Sequence, residues 1–130
     1  DEHFFPPVIR PKAAEIGPII DKTFAKAWKY GVKVAYGTDS GVSAHGDNAK
    51  EFAYMVQNGM PAINAIRSAT ITAAELLGEQ ERLGQVKEGF LADIIAVDGN
   101  PLENIQLLES VSFVMKNGKV YKLPNNEPFN

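Results

Sequence analysis

The spacing of apolar residues changes character near Leu83. Upstream, apolar side chains recur at helical spacing; downstream, they come in short β-branched runs. Such a switch commits a chain to two kinds of layer, helices first and a small sheet after. The sheet half carries the strongest hairpin signal: Val111-Ser112-Phe113-Val114-Met115-Lys116 and Lys119-Val120-Tyr121-Lys122 flank Asn117-Gly118. That dipeptide predicts a tight type I′ turn, which needs positive φ at both central residues. Ala92-Asp93-Ile94-Ile95-Ala96-Val97 reads as a buried strand and Gly99-Asn100-Pro101 as a turn. Residues 84–89 read as a short strand and a turn. So few strands make a marginal sheet, which wants a partner surface.

The first half reads as helix, strand and further helices. Ile16, Ile20, Phe24, Ala27 and Trp28 predict a helix over about residues 13–30, with Gly17-Pro18 marking a break near its start and Gly31 its stop. Val32-Lys33-Val34-Ala35-Tyr36 is short, β-branched and bounded by glycines, and is read as a strand. Ala49, Phe52, Ala53 and Val56 share one face of a helix over residues 46–58. Asp47 or Asn48 is placed to cap it, and Glu51 suits its positive end. Pro61 opens another helix. Thr72-Ala73-Ala74-Glu75 has the capping-box pattern, and Leu76-Leu77-Gly78 ends that short helix. The division expected is residues 1–82, then residues 83–123, with a tail over 124–130.

Composition excludes several classes. The 130 residues, 45 % hydrophobic and 22 % charged, suffice for one domain with its own core. A net charge of −3 with no basic stripe argues against nucleic acid as a partner. No apolar run approaches the roughly 20 residues of a membrane span, so no membrane partner is expected. The first residues do not resemble a signal peptide and lack an initiator Met, which raises the expectation that the chain begins inside a longer protein. With no cysteine, disulfides and thiolate metal sites are excluded.

One stretch carries chemistry. The run ending at Tyr36 gives way to Gly37-Thr38-Asp39-Ser40-Gly41, and His45, one of only two histidines, follows. Strand ends in α/β architectures are where functional side chains gather. A carboxylate there can bind a metal or accept a proton from water. Asp before Ser-Gly is equally ordinary turn chemistry, and from the residues alone both readings of Asp39 stand. His45 likewise fits a surface or capping residue or a group facing substrate. A nucleophile elbow fails around Ser40, and an EF-hand loop fails at Ser43 and Ala44. His3, His45 and Asp39 lack the spacing of a self-contained zinc site. Phe24, Trp28 and Phe52 are read as core, Glu79, Glu81 and Arg82 as a solvated loop, and Arg10 and Lys12 as exposed or helix-start residues.

Gly37-Thr38-Asp39-Ser40-Gly41, His45-Gly46-Asp47-Asn48 and Glu51 together resemble the last barrel strand and following loop of the amidohydrolase superfamily. Residues 58–70, then Leu83-Gly84-Gln85-Val86, residues 89–97 and residues 114–121 continue the likeness in order. The chain is most similar to the imidazolonepropionase-related Xaa-Pro and Xaa-Xaa dipeptidases. That resemblance implies an α/β fold: the C-terminal part of a (β/α)8 barrel, followed by strands of a small composite β-sandwich domain. It implies one or two divalent metals, usually zinc, and hydrolysis of a peptide or amide C–N bond by metal-activated water. The role of metal ligand and proton carrier falls on Asp39, and His45 matches a loop position near substrate.

The remaining ligands of that family, a His-x-His, a bridging carboxylated lysine and two further histidines, have no counterpart in these 130 residues. The chain is therefore expected to be a portion of an enzyme, inactive and without bound metal alone. Its expected partners are a small peptide or amide substrate, the remainder of the barrel and, through open strand edges, further copies of itself. A cyclic amide substrate and a non-catalytic oligomeric module are the alternative readings.

Overall fold

A computed structural model of the chain describes residues 6–39 and 46–124. The two halves differ as the change in periodicity requires. Helix α1 (Arg10–Lys29) is followed by an irregular segment, a 3₁₀ turn at Asp47–Ala49, α2 (Lys50–Gln57), α3 (Ala62–Ala69) and α4 (Ile71–Leu76). The sheet then forms from β1 (Ile94–Val97), β2 (Val111–Lys116) and β3 (Lys119–Lys122), with a 3₁₀ turn at Ile105–Glu109 between β1 and β2.

Helix α1 has no break at Gly17-Pro18; Pro18 lies inside it. Proline is hardest on the residue before it, through that residue's Cβ. Gly17 has none, so the helix passes through at the loss of one backbone hydrogen bond. The stop at Gly31 is as expected. Gly31 N–H donates to the Trp28 carbonyl at 2.9 Å and Val32 N–H to Ala27 at 3.1 Å, with Gly31 at φ +77°. These are the two bonds of a Schellman end, which needs a left-handed residue. The same pair of bonds closes α2 and α4.

The core lies between α1, α2 and α3. Met55, Met60 and Ala65 are buried there, with Phe24, Trp28, Val34, Tyr36, Phe52 and Val56 packed against them. Phe24, Trp28 and Phe52 are thus core residues, as their spacing predicts. Ile19 and Ile20, on the same helix as Phe24, stay exposed.

Two expected strands are absent among the described residues. Residues 32–36 and 84–86 form no ladder. A strand exists only by pairing, and the described sheet lies elsewhere, in the order β1-β2-β3. The backbone at 32–36 is tied instead to helix ends: Val32 N–H to Ala27, and Tyr36 N–H to the Ser68 carbonyl at 2.9 Å. Gly84 sits against α4, where an added Cβ would lie 2.6 Å from the Thr70 carbonyl oxygen. The capping box is also absent. Thr72 is inside α4, and Thr70 takes the N-cap position without capping. Its hydroxyl donates back to the Ile66 carbonyl at 2.9 Å, because α3 ends only one residue before α4 begins.

The sheet is antiparallel throughout, with Ile95 opposite Val114 and Lys116 opposite Lys119. Asn117 and Gly118 take φ of +50° and +76°, the conformation the hairpin signal requires. The buried Ile105 in the link from β1 to β2 anchors the sheet to the helices, since its 3₁₀ turn packs on α2.

Candidate functional site

The site is built at the end of the segment that Gly31 releases from α1. Three interactions converge on Tyr36. Its N–H holds the Ser68 carbonyl, its ring stacks on Phe52 with centroids 4.5 Å apart, and its hydroxyl donates to the Asn48 carbonyl. Ser68 is itself buried and spends its hydroxyl on the Ala65 carbonyl at 2.6 Å. The anchor under Tyr36 is therefore a fully satisfied polar group inside the core. Burial, and next the charge of Glu51, push the Tyr36 phenol up to about 12. Both disfavour a phenolate, so the hydroxyl remains a donor.

Three residues beyond this anchor stands Asp39. It is exposed and has φ of +47°, one of two non-glycine residues with positive φ among those described. Asp and Asn enter this left-handed region more readily than other L-residues. A left-handed backbone is compatible with both the turn reading and the chemical reading of Asp39. A cavity of about 390 Å³ lies beside the anchor, lined by Tyr36, Asn48, Phe52 and Lys122 among others; Asp39 does not line it.

Other candidates fall differently. His3 and His45 lie outside the described residues. Asp47 and Asn48 give no side-chain cap; Asp47 pairs with Lys50 at 3.1 Å instead. Glu51 lies in the first turn of α2, as expected. Arg82 pairs with Glu79 at 3.2 Å on an exposed loop. Arg10 and Lys12 occupy the first turn of α1. Among the described residues, no three His, Cys, Asp or Glu side chains converge as metal ligands. Asp39 can contribute one ligand to such a centre; the described residues do not make the whole of it. Reading the sequence missed Tyr36, whose only local signal is its place as the last apolar residue of its run.

Comparison with known proteins adds an independent line. Residues 21–121 match the sequence model of the Amidohydrolase family. The fold is similar to a crystal structure of a Xaa-Pro dipeptidase with methionine bound in its active site, with TM-score 0.84 and 56 % identity over 91 % of this chain and 29 % of that one. It is also similar to a prolidase complexed with N-methylphosphonate-L-proline, with TM-score 0.80 and 30 % identity over 92 % of this chain and 30 % of that one. Ochratoxinase of Aspergillus niger is 39 % identical over 113 residues, 83 % of this chain and 23 % of its own length. The chain spans under a third of the length of each of these relatives.

Proposed function

The chain belongs to the amidohydrolase family, and from that premise we propose that it is the Asp39-bearing portion of a metal-dependent dipeptidase that cleaves Xaa-Pro-like peptide bonds. The observation that carries this reading is the 56 % identity to a Xaa-Pro dipeptidase across 91 % of the chain. In that reading residues 32–36 are the last strand of a (β/α)8 barrel, with Asp39 just past its end, and β1 to β3 belong to a small β-sandwich. The strand lacks a ladder here because its neighbours belong to polypeptide outside these residues.

A divalent cation, zinc in this reading, would supply Lewis acidity to the attacking water. Asp39 is the residue of this chain that would hold it. The Asp39 carboxylate would accept a proton from that water as its oxygen attacks the peptide carbonyl. It would then deliver the proton to the amine nitrogen as the C–N bond breaks. In this reading the left-handed backbone at Asp39 and the anchor at Tyr36 would set where the carboxylate stands. His45 is proposed to face substrate.

A lone carboxylate cannot complete such a centre, so the 130-residue chain is expected to be inactive. Purified chain with added zinc should hydrolyse no dipeptide, whereas the longer polypeptide carrying it should; turnover by the chain alone would contradict this. Exposed apolar side chains on α1 and residues 32–36 without a ladder support assembly with further copies as well. Light scattering should then give a mass above the monomer, and a monodisperse monomer would count against self-assembly.

A second reading keeps the chemistry and changes the substrate to a cyclic amide. The 39 % identity to ochratoxinase carries the likeness beyond the dipeptidases. A panel of Xaa-Pro dipeptides and cyclic amides, assayed on the longer polypeptide, separates the two.

A further inference from the structure

We propose that Tyr36 is a positioning residue for Asp39, acting through its hydroxyl on the Asn48 carbonyl; the inference rests on the catalytic reading of Asp39. Tyr36 and Asn48 are twelve residues apart and stand on opposite sides of Asp39 in the chain. The hydroxyl therefore ties the start of α2 to the segment that presents the carboxylate. Position 36 is held from three directions: by the Ser68 carbonyl, by the Phe52 ring and by the Asn48 carbonyl. Three residues of extended chain reach only about 10 Å, so pinning residue 36 narrows where the Asp39 oxygens can lie. A carboxylate that must meet both a water and a leaving nitrogen tolerates little misplacement.

The phenol suits this task better than a group that titrates near neutral pH. Burial and Glu51 keep it protonated, so the donor persists through neutral and mildly alkaline pH. The ring and the hydroxyl have separable duties. The ring contributes packing against Phe52 and the Met55, Met60, Ala65 core. Among the described residues the hydroxyl's hydrogen-bond partner is the Asn48 carbonyl. Tyr36→Phe removes the second duty and keeps the first.

The test is amide hydrogen exchange and steady-state kinetics on the longer polypeptide, wild type against Tyr36→Phe. Ile105→Ala serves as the stability control, because Ile105 is buried on the link between β1 and β2 and its truncation leaves a cavity with the Tyr36 hydroxyl in place. In Tyr36→Phe, the amides of residues 36 and 50, which donate to the Ser68 and Asn48 carbonyls, should exchange about fivefold faster or more, the scale of one lost hydrogen bond, while α3 amides keep their rates. With that local change, kcat should fall about tenfold with KM within about twofold. Unchanged exchange at residues 36 and 50 overturns the proposal, whatever kcat does. Faster exchange throughout the chain, as expected for Ile105→Ala, or a variant that does not fold, makes Tyr36 a stability residue and overturns it too. Local loosening with unchanged kcat denies the catalytic consequence and also overturns it. Should the wild type hydrolyse no dipeptide, the catalytic reading fails on that result, while the exchange data still decide whether the hydroxyl holds residue 36 to the start of α2.

Discussion

At Tyr36 a polar hydroxyl sits on a ring that packs into the core, and the two ends of one side chain answer to different constraints. The consequence is measurable. With the phenol raised from 10.0 to about 12 in the folded chain, folding favours the protonated form. Its contribution to stability is complete below pH 10 and is lost as pH rises through about 12. Urea titrations at stepped pH should therefore show stability declining between those values in the wild type. Tyr36→Phe should lose that part of the decline, and phenolate absorbance should lose a transition near pH 12. An identical alkaline profile in both proteins would contradict the assignment. Individual residues were legible in the sequence where one local rule decided them: Phe24, Trp28 and Phe52 by spacing, and Gly31 by its place at the end of a helical pattern. Asp39 was legible as a position. The role of Tyr36 was not, because its partners Ser68 and Asn48 are set by tertiary packing.

Among the elements, the hairpin is the one that local chemistry specifies most fully, and it is also clasped from outside. The Asp93 carboxylate accepts the Asn117 N–H at 2.7 Å and pairs with Lys116, while Gly118 N–H reaches the Ala92 carbonyl at 3.1 Å. The turn is thereby fastened to the residues leading into β1. The Lys116 hydrogen bond, followed by the Asn117 N–H, holds the Asp93 carboxyl below its ordinary value of 3.8. A lowered folded-state value stabilises above the unfolded one and loses that contribution as pH falls through the folded one. Asp93→Asn should thus lower the urea midpoint at neutral pH, and the difference from wild type should shrink below about pH 4. A difference that persists undiminished in acid would refute the clasp. The unfulfilled strands at residues 32–36 and 84–86 teach the complementary lesson. Composition reports what a segment can become, whereas a ladder needs a neighbour. Thr72-Ala73-Ala74-Glu75 failed as a capping box for a different reason: α3 runs so close to α4 that Thr70, turned back on Ile66, occupies the N-cap position.

For the molecule as a whole, a compact core of Met55, Met60 and Ala65 coexists with a long helix that buries no residue completely. Ile20 on that helix is 61 % exposed, which leaves apolar area for other polypeptide to cover. The order of helices followed by a small antiparallel sheet was readable from periodicity alone, and the family likeness was readable from the ordered series of short motifs. A complete candidate centre was not, because no three His, Cys, Asp or Glu side chains converge among the described residues. The account stands on that carboxylate. Asp39→Asn keeps the size and the tolerance for a left-handed backbone while removing the charge. The most direct measurement is kcat for Xaa-Pro dipeptides, together with bound zinc per chain, in the longer polypeptide with Asp or Asn at position 39. Loss of about 10²- to 10⁴-fold in kcat, with less zinc retained and the fold intact, is the result predicted; activity and zinc content close to wild type would contradict it.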